Sequence, residues 1–189
     1  MKRKDIPIKL ITGRFGSGKS LCMIAGALEA LQKGHFEKIV FVRNNVQVKD
    51  TESLGALPGD LYSKTLNWAL PFCDHCGGIE GMNYLIEEGK LETIPLAFLR
   101  GRSLRNAIIY SMESENLTKE HIQLLMGRVD EGSELWLDGD IKQRDKVAFE
   151  KSQGLETMIE RLAGNKYFGY VHLLKSERSP VAQLADLLD

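Results

Sequence analysis

Eight residues, Gly13-Arg14-Phe15-Gly16-Ser17-Gly18-Lys19-Ser20, constrain this chain more than any other segment. They satisfy G-x-x-x-x-G-K-[ST] at every fixed position. The run Ile8-Lys-Leu-Ile-Thr12 before them reads as a strand. After them Leu21, Ile24, Leu28 and Leu31 recur at spacings of three and four, and that helical pattern stops at Gly34. Glycines let the turn tighten and aim its backbone N–H groups at an anion, in line with the helix N-terminus. A glycine-rich turn that merely caps a helix is the plainer alternative. A chance match in a chain of this length falls below roughly 1%.

This motif predicts a nucleotide held by its phosphates, ATP or GTP, along Gly13, Arg14, Phe15, Gly16, Ser17, Gly18, Lys19, Ser20 and Leu21. Lys19 is expected to reach the β- and γ-phosphates, and the Ser20 hydroxyl to bind Mg²⁺.

Five short apolar runs read as strands: 7–12, 38–42, 107–111, 134–137 and 167–173. Most are continuous rather than alternating, which suits strands covered on both faces. Helical patterns lie between them, one over 118–126 and a last one starting at Ser179-Pro180. The expected fold class is therefore α/β, a parallel sheet of about five strands sandwiched by helices. No repeat, linker or composition break divides residues 1–189, so one domain is expected, with an elaboration around 48–99 that fits the strand–helix alternation least well.

At 189 residues, 43% hydrophobic and 27% charged, the chain has enough apolar residues for one sizeable core. Its net charge of −1 argues against a bulk electrostatic grip on nucleic acid and leaves room for a local basic patch. No apolar run is long enough for a transmembrane helix, and Met1–Pro7 has charges without an apolar core behind them. Three cysteines suit a reduced, cytoplasmic setting better than a disulfide framework. Cys73-Asp-His-Cys76 has half the ligands of a structural zinc site and no second Cys pair, so a loop with two free thiols is expected. Cys22 reads as a small buried hydrophobe on the first helix.

Several blocks resemble the PhoH family, phosphate-starvation-type ATPases related to superfamily-one helicases. They are Leu54–Lys64, Pro95–Asn106, Val42-Arg43-Asn-Asn-Val46 and Gly139-Asp140-Ile-Lys-Gln143, which is similar to a G-D-x-x-Q motif. Arg178 takes the place of a late arginine, and the resemblance runs in order from Ile8 to Leu188. It implies a RecA-like P-loop NTPase core, an ATPase that acts on or with RNA or single-stranded DNA, and a homo-oligomer, ring-like in some members. It implies a bare ATPase module, with no nuclease or RNA-binding domain attached.

The resemblance also assigns roles. Glu113 is the base that orients the attacking water, Gln143 senses the γ-phosphate, Asp140 lies near the metal, and Arg178 acts as an arginine finger. Asp138-Gly139-Asp140 also reads as an ordinary strand-to-helix turn, and Arg178 as one half of a surface salt bridge. Arg100, Arg102 and Arg105 form a basic cluster for nucleic-acid or interface phosphates, or else a solvated charge run.

One position departs from the family pattern. Ala107–Asn116 is similar to a strand followed by D-E-A-Q-N, yet Met112 stands at the Asp position and Glu115 at the Gln position. A thioether is a poor ligand for Mg²⁺. Asp140 or Asp138 takes over metal ordering, or the nucleotide is bound and hydrolysed slowly, or Met112 is an alteration particular to this sequence. A nucleotide-dependent assembly module with little hydrolysis is therefore the second reading. A small-molecule kinase is the third, although the G-D-x-x-Q motif has no role in one.

Overall fold

The computed structural model describes residues 3, 5–43, 69–141 and 153–177. Along the chain these form β1 (Ile8–Gly13), α1 (Lys19–Gln32), β2 (Lys38–Arg43), α2 (Leu70–Cys76), α3 (Gly78–Glu87), β3 (Leu91–Pro95), β4 (Ala107–Ser111), α4 (Lys119–Met126), β5 (Glu134–Gly139), α5 (Gly154–Leu162) and β6 (Phe168–Leu173). The strands make one sheet in the order β3-β2-β4-β5-β1-β6, and each neighbouring pair is parallel.

Both faces are covered, as the continuous apolar runs require. Met23, Ile24 and Ala27 of α1, Phe72 and Cys73 of α2 and Met82 of α3 pack on Ile11, Ile39, Phe41, Ile108 and Trp136. On the opposite face Ile122 and Leu125 of α4 and Leu155 and Met158 of α5 pack on Leu10, Val40, Val42, Ile109 and Leu137. Successive strand residues alternate between these two cores, so the four central strands need apolar side chains at nearly every position.

Helix boundaries follow local chemistry. Gly18, at φ 82°, starts α1, and Gly34, at φ 65°, ends the chain's path beyond it while its N–H donates to Leu31 O. Thr118 and His121 cap α4 reciprocally, each side chain accepting the other's backbone N–H.

All five expected strands are present within two residues at either end. The sixth, β3, lies in the segment read as an elaboration. Among the described residues it is an edge strand, paired to β2 alone, and Leu-Glu-Thr-Ile-Pro lacks the continuous apolar run of the inner strands. One expectation fails on α1, where Cys22 is exposed; Ile24 of the apolar pattern is buried, and Met23 and Ala27 outside that pattern are buried beside it. Cys73–Cys76 is helical rather than a loop. Cys73 is buried with its Sγ 3.5 Å from Met82 Sδ, and both thiols are free. The helix expected from Ser179, and the Leu54–Lys64 block, lie outside the described residues.

Among the described residues no helix is long and apolar enough to cross a membrane.

Candidate nucleotide site

Because every strand is parallel, the ends of β1, β2, β4 and β5 open onto one edge of the sheet, where open α/β sheets place their ligands. A cleft of about 290 Å³ lies there, lined by Phe15, Gly16, Gly18, Lys19, Ser20, Leu21, Glu113, Glu115, Asp138, Gly139 and Asp140.

The loop from β1 into α1 turns through Gly16 and Gly18, at φ 75° and 82°, in the left-handed region where a side chain is costly. No side chain caps α1 and no acidic residue sits in its first turn, so its N-terminal N–H groups leave a positive pole facing the cleft. Lys19 Nζ curls back over the loop and donates to Gly13 O at 2.8 Å and Arg14 O at 3.0 Å. The stretch after β6 fastens the same loop from outside. Ser176 Oγ donates to Phe15 O at 3.1 Å, and Glu177 N to Gly16 O at 3.1 Å.

Across the cleft, the turn after β4 presents Glu113 in a left-handed conformation at φ 53°, a strained one for a residue with a side chain. Two contacts hold it. Its N–H donates to Asp138 Oδ1 at 3.1 Å, and its carboxylate accepts from Arg43 Nη2 at 2.7 Å. Glu115, on the following short 3-10 turn, accepts from the Asp140 N–H at 3.1 Å. Burial pushes the Glu115 carboxyl up to about 7, against the pull of that N–H and its own.

Asp138 is the most enclosed acid of the group, 1% exposed at the end of β5. Its Oδ2 accepts from the Tyr110 hydroxyl at 2.7 Å. Burial raises its pKa, while Tyr110, Ser20, the Glu113 N–H and Lys19 all favour the charged form. Tyr110 is itself fixed in an aromatic cluster, its ring centroid 5.5 Å from Phe41 and 6.1 Å from Phe72. Met112 is nearly buried in the core under α1.

The expected residues thus divide. Phe15, Gly16, Gly18, Lys19, Ser20, Leu21, Glu113 and Asp140 converge on one cleft. Gly13 and Arg14 face it through their carbonyls, and Ser17 is buried in the loop. Arg102 makes a two-pronged ion pair with Glu92 at 2.9 and 3.3 Å, and Arg105 bonds Asp130 at 3.0 Å. Neither these two nor the exposed Arg100 lines the cleft. Gln143 and Arg178 lie outside the described residues. Sequence reasoning missed Tyr110, read as plain core, and gave Arg43 no task. Their signal is positional, since each sits at or one turn of the pleat before a strand end facing α1 or the cleft.

Lys19 faces four carboxylates here, an arrangement that repels a polyphosphate unless a divalent cation accompanies it. The side-chain donors are all oxygen, which suits Mg²⁺. Among the described residues no three acidic, His or Cys side chains form a metal cage by themselves, so phosphate and water would complete the shell.

The profile of the PhoH family, described as PhoH-like protein, matches residues 1–186. The chain belongs to the PhoH family. Three curated PhoH relatives show the spread. Protein PhoH2 of Bacillus subtilis is 35% identical over 98% of this chain and 44% of its own length. A PhoH-like protein of the same organism is 33% identical over 100% and 60%, and Protein PhoH of Escherichia coli K12 is 32% identical over 91% and 50%. The chain therefore spans about half the length of the curated PhoH relatives it matches. PhoH is a P-loop ATPase family, in keeping with the parallel α/β sheet and the loop at Gly13–Ser20.

Proposed function

We propose that this chain binds ATP with Mg²⁺ in the cleft at Gly13–Ser20 and hydrolyses it. The observation that carries this reading is Glu113, held at the mouth of β4 opposite Lys19 by Arg43 and Asp138. Lys19 releases its loop carbonyls to take the β- and γ-phosphates, and the α1 N–H groups face the same charge. Ser20 supplies a hydroxyl and Asp140 a carboxylate toward Mg²⁺, whose chemistry is to neutralise phosphate charge as the bond breaks. Glu113 orients the attacking water. Gln143 senses the γ-phosphate and Arg178 meets it as an arginine finger. The support for Arg178 is that its chain neighbour Glu177 bonds the loop at Gly16.

Action on RNA or single-stranded DNA, in a cytoplasmic homo-oligomer, belongs to the same proposal. Its support is the motif order shared with helicase-related ATPases and the exposure of Arg100 and Arg105, while Arg102 is largely committed to Glu92. The free thiols of Cys22, Cys73 and Cys76 suit a reducing compartment.

Met112 favours a second reading, a nucleotide-dependent assembly module with little hydrolysis, because its thioether is packed in the core and offers Mg²⁺ nothing. Phosphate release from ATP with Mg²⁺, measured with and without single-stranded RNA, separates the two. Turnover that needs Lys19 and rises with RNA supports the nucleic-acid ATPase. Tight binding without turnover supports the assembly module.

A further inference from the structure

Met112 and Asp138 occupy equivalent places on neighbouring strands. Ser111 pairs with Leu137 in the parallel β4–β5 ladder, and the next residues along the chain are Met112, just past the end of β4, and Asp138 in β5. Their side chains share the sheet face that carries α1. Tyr110, Met112 and Trp136 belong to that core, and Asp138 pairs in register with Ile11 of the same core. At the position where the thioether stands, the α1 N-terminus meets no oxygen. One strand over, 4.7–4.9 Å or so to the side by ordinary sheet spacing, it meets a carboxylate.

That carboxylate is built in rather than incidental. Asp138 is 1% exposed, and the Tyr110 hydroxyl and the Glu113 N–H each take one of its two oxygens, at 2.7 and 3.1 Å. Ser20 lines the same cleft as Asp138. Each carboxylate oxygen accepts more than one hydrogen bond, so the aimed oxygens keep capacity for a cation's water shell. Asp140, two residues further on, lines the same cleft and donates its backbone N–H to Glu115.

We propose that Asp138, on β5, holds the shell of the divalent cation bound at Ser20, a task for which Met112, just past β4, has no donor. The carboxylate of this site has moved one strand sideways, and Tyr110 orients it. This rests on the nucleotide reading above and adds to it which residue binds the metal side. It also predicts that Met112 is no obstacle to a Mg²⁺-dependent reaction.

The test is the affinity of a fluorescent ADP analogue, measured in EDTA and in Mg²⁺, with Mn²⁺ binding by electron paramagnetic resonance as a readout independent of turnover. In the wild-type chain Mg²⁺ tightens binding. Asp138→Asn is expected to leave the EDTA affinity in place and to weaken the Mg²⁺ enhancement and Mn²⁺ binding by roughly 10–100-fold. Met112→Leu is expected to change both little, and Asp140→Asn to weaken them less than Asp138→Asn does. The exchange Met112→Asp with Asp138→Asn should restore the enhancement, which also shows that loss in the single variant is not misfolding. Full Mg²⁺ enhancement in Asp138→Asn, or its loss in Asp140→Asn alone, would overturn the proposal. Failure of the wild-type chain to bind the analogue in either buffer overturns the nucleotide reading itself, a result distinct from both.

Discussion

Arg43 and Glu113 meet at 2.7 Å across the mouth of the cleft, one from the end of β2 and the other from the turn after β4. The pair is half exposed, so its direct contribution to stability is small, at most about 1 kcal/mol. Its effect is on direction. The guanidinium draws the carboxylate outward while Asp138 holds the same residue's backbone N–H, and Glu113 keeps a left-handed conformation between them.

Removing the Glu113 carboxylate while keeping its shape isolates the chemical step. Glu113→Gln should lower kcat for ATP by about 10²–10⁴-fold. Nucleotide affinity should stay close to wild type, because phosphate binding lies with the loop and Lys19. Single-turnover phosphate release beside equilibrium nucleotide titration measures the two separately, and a parallel loss of affinity would show that Glu113 holds the ligand instead.

Lys19 has the opposite role. Lys19→Ala should weaken ATP binding by roughly 10–100-fold, the range for a lost hydrogen bond to a charged group. The melting temperature should hardly change, since Lys19 caps only two carbonyls of its own loop. Calorimetric titration with a thermal melt checks both, and undiminished affinity would remove the loop from the ligand's path.

The carboxyl of Glu115 gives a pH signature. Burial lifts it to about 7, above its value in an unfolded chain, so the folded protein keeps a proton that the unfolded chain has released. Its stabilising effect is complete below the ordinary carboxylate range and is lost as pH rises toward 7, by at most about 3 kcal/mol. The metal-free protein should therefore melt at falling temperatures from about pH 5 to about pH 7.5, and Glu115→Gln should flatten part of that slope. Asp138, raised in the same direction by burial, adds to the slope in the same sense. A slope unchanged by Glu115→Gln would place the titration elsewhere.

Lys9 and Glu134 form a buried ion pair between β1 and β5, and Trp136 Nε1 also donates to Glu134 at 2.6 Å. Burial lowers the Lys9 pKa although Glu134 opposes it. Glu134→Ala should cost about 3–5 kcal/mol because it strands a buried ammonium and an indole N–H. Replacing both partners, Lys9→Met with Glu134→Leu, should recover a large part of that loss in a urea titration. A double variant as unstable as the single one would show that the pair is worth more than its apolar substitute.

Much of the fold was legible in the sequence because the inner strands are buried on both faces. Ile39-Val-Phe-Val42 and Ala107-Ile-Ile-Tyr110 have no place to put a polar residue, so the pattern speaks plainly. Leu91–Pro95 was not legible, since an edge strand with one paired side tolerates Glu92, Thr93 and a terminal proline. On α1 the apolar spacing showed Ile24 but not Met23 or Ala27, which are equally buried, while Leu21 of the same pattern serves the cleft. In the site, the loop at Gly13–Ser20 is contiguous and so could be read directly. Arg43, Tyr110 and Asp138 come from three strands, and only the register of the sheet brings them to Glu113 and Ser20.

The strand order also sets a timetable for synthesis. β1 is made well before its partners β5 and β6, and Lys9 waits for Glu134, 125 residues downstream. At a ribosome's pace of about 5–20 residues per second, the apolar Ile8–Ile11 run spends roughly 6–25 s without its neighbours. The phosphate loop follows β1 directly and so takes its final shape only after β5 and β6 have been made, which leaves the Ile8–Ile11 run in most need of chaperone cover until then.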